Sequence, residues 1–147
     1  MKNYLFLLLI PLMSFGQEIT FDELMTISST DSFKRVVIEN GFEFNEDKDD
    51  FIWYGYKVTK KKSGESAKKW AIYNEEYSLS IFQFFKDGIW VEREYNQIVS
   101  EIKSNCEYVE IDGDYATYNC SESSFKGTIG IMNANGTGYV RIKPSIE

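Results

Sequence analysis

The sequence predicts an α+β protein made of two tandem helix-plus-antiparallel-hairpin units, with the helices packed on one face of antiparallel sheet. Three observations predict it. Apolar residues recur at helical spacing in two places, from Phe21 to Val37 and from Tyr95 to Ile102. Each helical stretch is followed by short runs rich in aromatic and β-branched residues, separated by Gly, Asn and Asp. When the chain is slid along itself so that Asn40–Tyr56 lies over Ser104–Cys120, Glu43 meets Glu107, Glu46 meets Glu110, Asp50 meets Asp114 and Tyr54 meets Tyr118. The repeat this implies spans 20–92 and 93–147; the alternative is an irregular single sheet.

Taken in order, the chain opens with MKNYLFLLLIPLMSFGQ. Lys2, the apolar stretch Leu5 to Met13, and the small residues Ser14 and Gly16 before Gln17 have the layout of a secretory signal peptide over 1–16. Its apolar run is shorter than the ~20 residues a membrane span needs. Residues 17–147 then form a single α+β domain. Thr20 and Glu23 make a capping box, with Ile19 and Leu24 at the flanking staple positions. Ser28 to Asp31 interrupt the stripe and offer a second N-cap, so two short helices are expected rather than one kinked one. Asn40-Gly41 stops the second.

Strands are expected at Phe42–Phe44 and Phe51–Val58 around an acidic turn, Glu46–Asp50. An exposed loop follows over Lys60–Lys69, then strands at Trp70–Tyr73 and Ser78–Phe85. Lys86-Asp87-Gly88 reads as a hairpin turn into a strand at Ile89–Glu92. Tyr95, Ile98, Val99 and Ile102 mark one helix face. The runs CEYVEI, DYATYNC and FKGTIGIM read as strands, and Ala134 to Gly138 turn into a last strand, Tyr139–Lys143. A second slide lays Ile81 over Ile129 and Gly88 over Gly136.

Composition narrows the function. The chain carries 23 acidic against 16 basic residues, a net charge of −7, and loss of the leader with Lys2 makes it more negative. Nucleic acid is therefore no partner, because phosphate binding needs a basic surface, and no stable membrane anchor is expected. There is no histidine, which removes Ser-His and Cys-His nucleophile systems and most catalytic zinc sites. No catalytic, metal or cofactor residues are assigned. The acidic turns at Glu46–Asp50 and Asp112–Asp114 do not match the spaced ligands of a calcium loop.

Cys106 and Cys120 are the only cysteines. If Asp112-Gly113-Asp114 is a three-residue loop, Ile111 faces Tyr115, Tyr108 faces Tyr118, and Cys106 faces Cys120. Directly opposed residues on neighbouring strands sit within disulfide reach, and an exported chain meets an oxidising compartment. A metal clip would lack histidine partners, and a redox pair would favour C-x-x-C. A structural disulfide is expected, standing where Phe42 and Tyr56 stand in the first unit.

For binding, Trp53, Trp70 and Trp90 are candidates for a stacking platform toward a protein or carbohydrate partner; the alternative is that they serve the core. Asn105-Cys106-Glu107, Cys120 and the twofold α–β order resemble the β-lactamase inhibitor protein family, whose tandem units combine helices with antiparallel sheet. The leader and general character are similar to those of small uncharacterised secreted proteins of Bacteroidetes. The resemblance is architectural and does not imply inhibition of a β-lactamase; the expected function is a secreted or periplasmic, non-enzymatic binding or inhibitor-like module, and a polysaccharide hydrolase using paired carboxylates and aromatic stacking is the alternative.

Overall fold

The computed structural model describes residues 18–120 and 124–145. The leader expected over 1–16, and its cut before Gln17, lie outside them. The first helical turn, α1 (Phe21–Leu24), begins at the capping box read from the sequence: Thr20 Oγ1 accepts from the Glu23 amide, and the Thr20 amide donates back to the Glu23 carboxylate at 2.8 Å. Ser29 and Ser32 make the same exchange at the start of α2 (Thr30–Glu39). The two short helices are therefore separate. Gly41, at φ +75°, closes α2: its amide reaches Ile38 O and the Phe42 amide reaches Val37 O. This Schellman ending delivers Phe42, buried, to the first strand.

Ten strands and one long helix follow: β1 (Glu43–Lys48), β2 (Phe51–Tyr56), β3 (Thr59–Lys61), β4 (Gly64–Ser66), β5 (Lys69–Asn74), β6 (Leu79–Phe85), α3 (Ile89–Asn105), β7 (Glu107–Asp112), β8 (Tyr115–Asn119), β9 (Gly127–Ala134) and β10 (Thr137–Pro144). Eight of the strands form one antiparallel sheet in the order β1-β2-β5-β6-β10-β9-β8-β7, and β3 pairs only with β4.

This overturns the expected two tandem helix-plus-hairpin units. Of the described residues 46% lie in strands and 25% in helices. Each helical stretch leads into a four-stranded meander, and the two meanders are fused by pairing of β6 with β10, where Phe82 lies opposite Val140. The physical reason is that this pairing joins segments far apart in sequence, and local periodicity carries no signal of it.

Smaller expectations also change. The segment Ile89–Glu92 is the first turn of α3, not a strand, and Gly88 is its N-cap without a capping side chain. The acidic turn shrinks to Asp49-Asp50, both at positive φ as a two-residue turn of type I′ requires. The loop over Lys60–Lys69 contains the β3–β4 hairpin, and Lys69 begins β5. Asp112 pairs with Tyr115 and Ile111 with Ala116, so the β7–β8 turn has two residues rather than three. A bulge at Val109 absorbs the shift and restores Tyr108 opposite Tyr118. The second slide fails, because Ile81 and Ile129 face opposite sides of the sheet.

Strand alternation sets the core. Across one face, register aligns Ile52, Tyr73, Ser80, Ile142, Ile129 and Tyr118, and beside them Tyr54, Ala71, Phe82, Val140 and Ile131. Helices α2 and α3 cover this face, and α1 packs on the same side against α3. Phe33 of α2 meets Tyr54, Tyr73 and Phe82 at ring separations of 5.9, 5.0 and 6.0 Å. Tyr95 of α3 lies on Phe84 and directly over Gly138, where an added Cβ would fall 2.6 Å from the ring. Only glycine permits that approach. The disulfide is present: Cys106 and Cys120 are bonded with Cα atoms 4.3 Å apart.

Candidate functional site: the helix-free face of the sheet

The opposite face of the sheet has no helix on it. One row, read strand by strand, runs Glu46, Trp53, Ile72, Ile81, Arg141, Gly130, Thr117, Glu110. Beside it lie Trp70, Gln83, Tyr139 and Met132, and then Phe51 and Leu79. Most of these side chains are half-buried. Strands with large apolar residues on both faces produce this surface: the helices take one set, and the other stays at the boundary with solvent.

Two of the three candidate tryptophans meet here. Trp53 and Trp70 are edge to face with centroids 6.1 Å apart. Gly55, paired with Trp70 across the strands, leaves the space this indole fills; a Cβ there would come within 2.7 Å of the ring. Farther along, the Arg141 guanidinium lies 4.3 Å from the Tyr115 ring and 2.7 Å from an Asp112 carboxylate oxygen. Burial raises the Tyr115 phenol above its usual value, and the Arg141 charge opposes that rise. Trp, Tyr and Arg at the centre with carboxylates at the margin form the usual composition of a protein-binding patch.

Trp90 is elsewhere. It sits exposed on the first turn of α3, beside a cavity of about 540 Å³ whose lining includes Tyr56, Lys57, Lys68, Arg93 and the pair Lys69–Glu94. The platform of three tryptophans expected from the sequence is thus a pair plus a separate residue. Tyr54 and Tyr73, on the same strands as Trp53 and Trp70, belong to the core.

Sequence reasoning missed Lys69 and Glu94. Lys69 Nζ donates to both Glu94 oxygens at 2.9 and 3.0 Å, both side chains 3% exposed, and the Ile19 amide donates to the same carboxylate at 2.7 Å. The ammonium also lies 4.3 Å from the Tyr56 ring and 5.2 Å from that of Phe42. Burial lifts the Glu94 carboxyl above its ordinary range, and the Lys69 charge pulls it back. With its oxygens occupied and sealed, this pair ties α3 to β5 and the N-terminal segment. One signal was available: Glu94 sits one position before Tyr95 on an otherwise apolar helix stripe.

The acidic turns lie at the rim of the open face. Among the described residues no three Asp, Glu or Cys side chains gather as metal ligands, and no helix is long and apolar enough to cross a membrane. No protein-family model, curated protein or solved structure matches the chain.

Proposed function

We propose that the chain is a non-enzymatic, inhibitor-like binding module, exported to the periplasm or the medium, which holds a protein partner on the helix-free face of its sheet. The observation that carries this reading is the row from Glu46 through Trp53 and Arg141 to Glu110. Its centre is apolar and aromatic and both ends are acidic, so it complements a partner surface with an apolar centre and basic margins. Export is supported by the Cys106–Cys120 bond, since such bonds persist in oxidising compartments.

Within the row on the open face, spacing excludes a catalytic carboxylate pair. Glu46 and Glu110 stand on opposite edge strands of the sheet, roughly 34 Å apart at ~4.8 Å per strand, whereas glycoside cleavage needs carboxylates about 5–10 Å apart. The resemblance to the β-lactamase inhibitor protein family is retained as part of the proposal, for mode of action and not for target.

An internal repeat belongs to the same reading. Its support is the first hairpin of each half: bulges fall at Asn45 and Val109, Phe44 packs edge-on to Tyr54 as Tyr108 does to Tyr118, and Phe42 with Tyr56 stands where the disulfide stands. The α3 start at Ile89 moves the division between the halves ahead of 93.

Paired affinity capture from culture medium and cell envelope tests the binding role. Wild-type and Trp53→Ala/Trp70→Ala proteins serve as baits, with Ile38→Ala, exposed on α2 on the other side of the sheet, as the control. A protein held by the wild type and the control but lost from the double variant supports the reading. Identical recoveries with all three baits refute it.

A further inference from the structure

Away from the open sheet face, a cavity at the start of α3 combines an apolar wall with an excess of basic groups. It opens between the exit of β2, the entry of β5 and the first turn of α3. Its volume, about 540 Å³, is within the range of small-molecule sites. Tyr56, Trp90 and Val91 give it an apolar wall. Lys57, Lys68, Lys69 and Arg93 line it against only two carboxylates, Glu18 and Glu94, in a chain whose net charge is −7.

The charges have different commitments. Lys69 and Glu94 neutralise each other in the floor. Arg93 pairs with Glu18 at 2.7 Å and lies 4.6 Å from the Trp90 ring, which fixes the indole at the mouth. Lys68 meets Asp87 at 3.3 Å in an open, solvated contact. Lys57 makes no ion pair among the described residues and stands exposed beside Tyr56. Its positive φ of 51° turns the chain sharply at the strand exit. The amide groups of the first turn of α3 receive no side-chain cap from Gly88, which leaves donors near the same mouth.

We infer that this cavity binds one small amphipathic anion, with its apolar body against Trp90, Tyr56 and Val91 and its carboxylate, sulfate or phosphate head on Lys57 and Lys68. The exposed indole offers a face for an apolar chain or ring, and two solvated ammonium groups lining the same cavity supply the head-group contacts. The site is separate from the proposed protein-binding face, so either proposal stands if the other fails.

Dodecanoate at concentrations below micelle formation is the probe, read by fluorescence of Trp90 in a Trp53→Phe/Trp70→Phe background, with 1-dodecanol as the neutral analogue. Saturable one-to-one binding is expected, weaker by about tenfold or more for 1-dodecanol and for Lys57→Gln/Lys68→Gln. Circular dichroism confirms that the variant, altered only at exposed positions, is folded. A parallel arm uses phosphatidylglycerol vesicles to distinguish a free ligand from a membrane surface. Absence of saturable binding, equal affinity for dodecanoate and 1-dodecanol, an unchanged affinity in the lysine variant, or association with vesicles alone would each overturn the inference.

Discussion

Single side chains decide more here than their positions in the sequence announce. Ser80 Oγ is fully buried with no hydrogen-bond partner among the described residues, in a row otherwise made of Ile and Tyr. Burying an unpaired hydroxyl costs about 1–3 kcal/mol, so Ser80→Ala should raise stability by about 1 kcal/mol, measured as a higher urea midpoint at unchanged slope. Glu94→Ala takes away the acceptor of both the Lys69 ammonium and the Ile19 amide, which a protonated carboxyl still supplies in part, and should cost about 3–5 kcal/mol. Lys69→Met with Glu94→Leu should cost less than Glu94→Ala alone, about 1–3 kcal/mol, chiefly for the Ile19 amide left without its acceptor. A pH dependence goes with this pair. Since burial raises Glu94 above 4.5, the folded chain keeps this proton at pH values where the unfolded chain has released it. Its contribution is complete below pH 4.5 and is lost as pH rises through the raised folded value. Urea titrations across that window should show wild type losing stability relative to Glu94→Gln as pH increases; parallel curves would contradict the assignment.

At the scale of elements, what was legible in the sequence was local. The capping box at Thr20, the Asn40-Gly41 stop and the Cys106–Cys120 bond are set by residues a few positions apart or by one hairpin, and chemistry at that range has clear signatures. The start of α3 was hidden because Gly88 carries no capping side chain and IWVE has the β-branched and aromatic residues favoured in strands. Lys69 was hidden because its burial depends on Glu94 on a different element, while its neighbours form a solvated basic run. The disulfide clips β7 to β8 at the sheet edge, and reducing it should lower stability by ~2–4 kcal/mol without loss of the fold. Replacing the bond with the aromatics of the first hairpin, Cys106→Phe/Cys120→Tyr, should be tolerated better than Cys106→Ala/Cys120→Ala, because alanines leave a void beside buried Tyr118. Thermal unfolding of the two variants ranks them; a lower Tm for the aromatic pair would refute the correspondence.

For the whole molecule, the decisive feature is that three helices cover one side of an eight-stranded sheet and leave the other open. Apolar residues on both strand faces signalled that two surfaces needed covering; which one received the helices depends on packing between distant segments, and the sequence was silent about it. Trp53 and Trp70 came together because β2 and β5 are neighbours, and Trp90 fell away because its segment is helical. The edges of the sheet are β1 and β7, each acidic and bulged, features that discourage edge-to-edge association and direct recognition to the open face. Site-specific photo-crosslinking tests that claim most directly. Tyr139→p-benzoylphenylalanine places the probe in the middle of the face, and Ile38→p-benzoylphenylalanine places it on α2, which covers the opposite face. On irradiation in culture medium and envelope fractions, the Tyr139 probe should give a discrete protein adduct that disappears with Trp53→Ala/Trp70→Ala, and the Ile38 probe should not give it. No adduct from Tyr139, or the same adduct from both positions, would contradict a binding role for the open face.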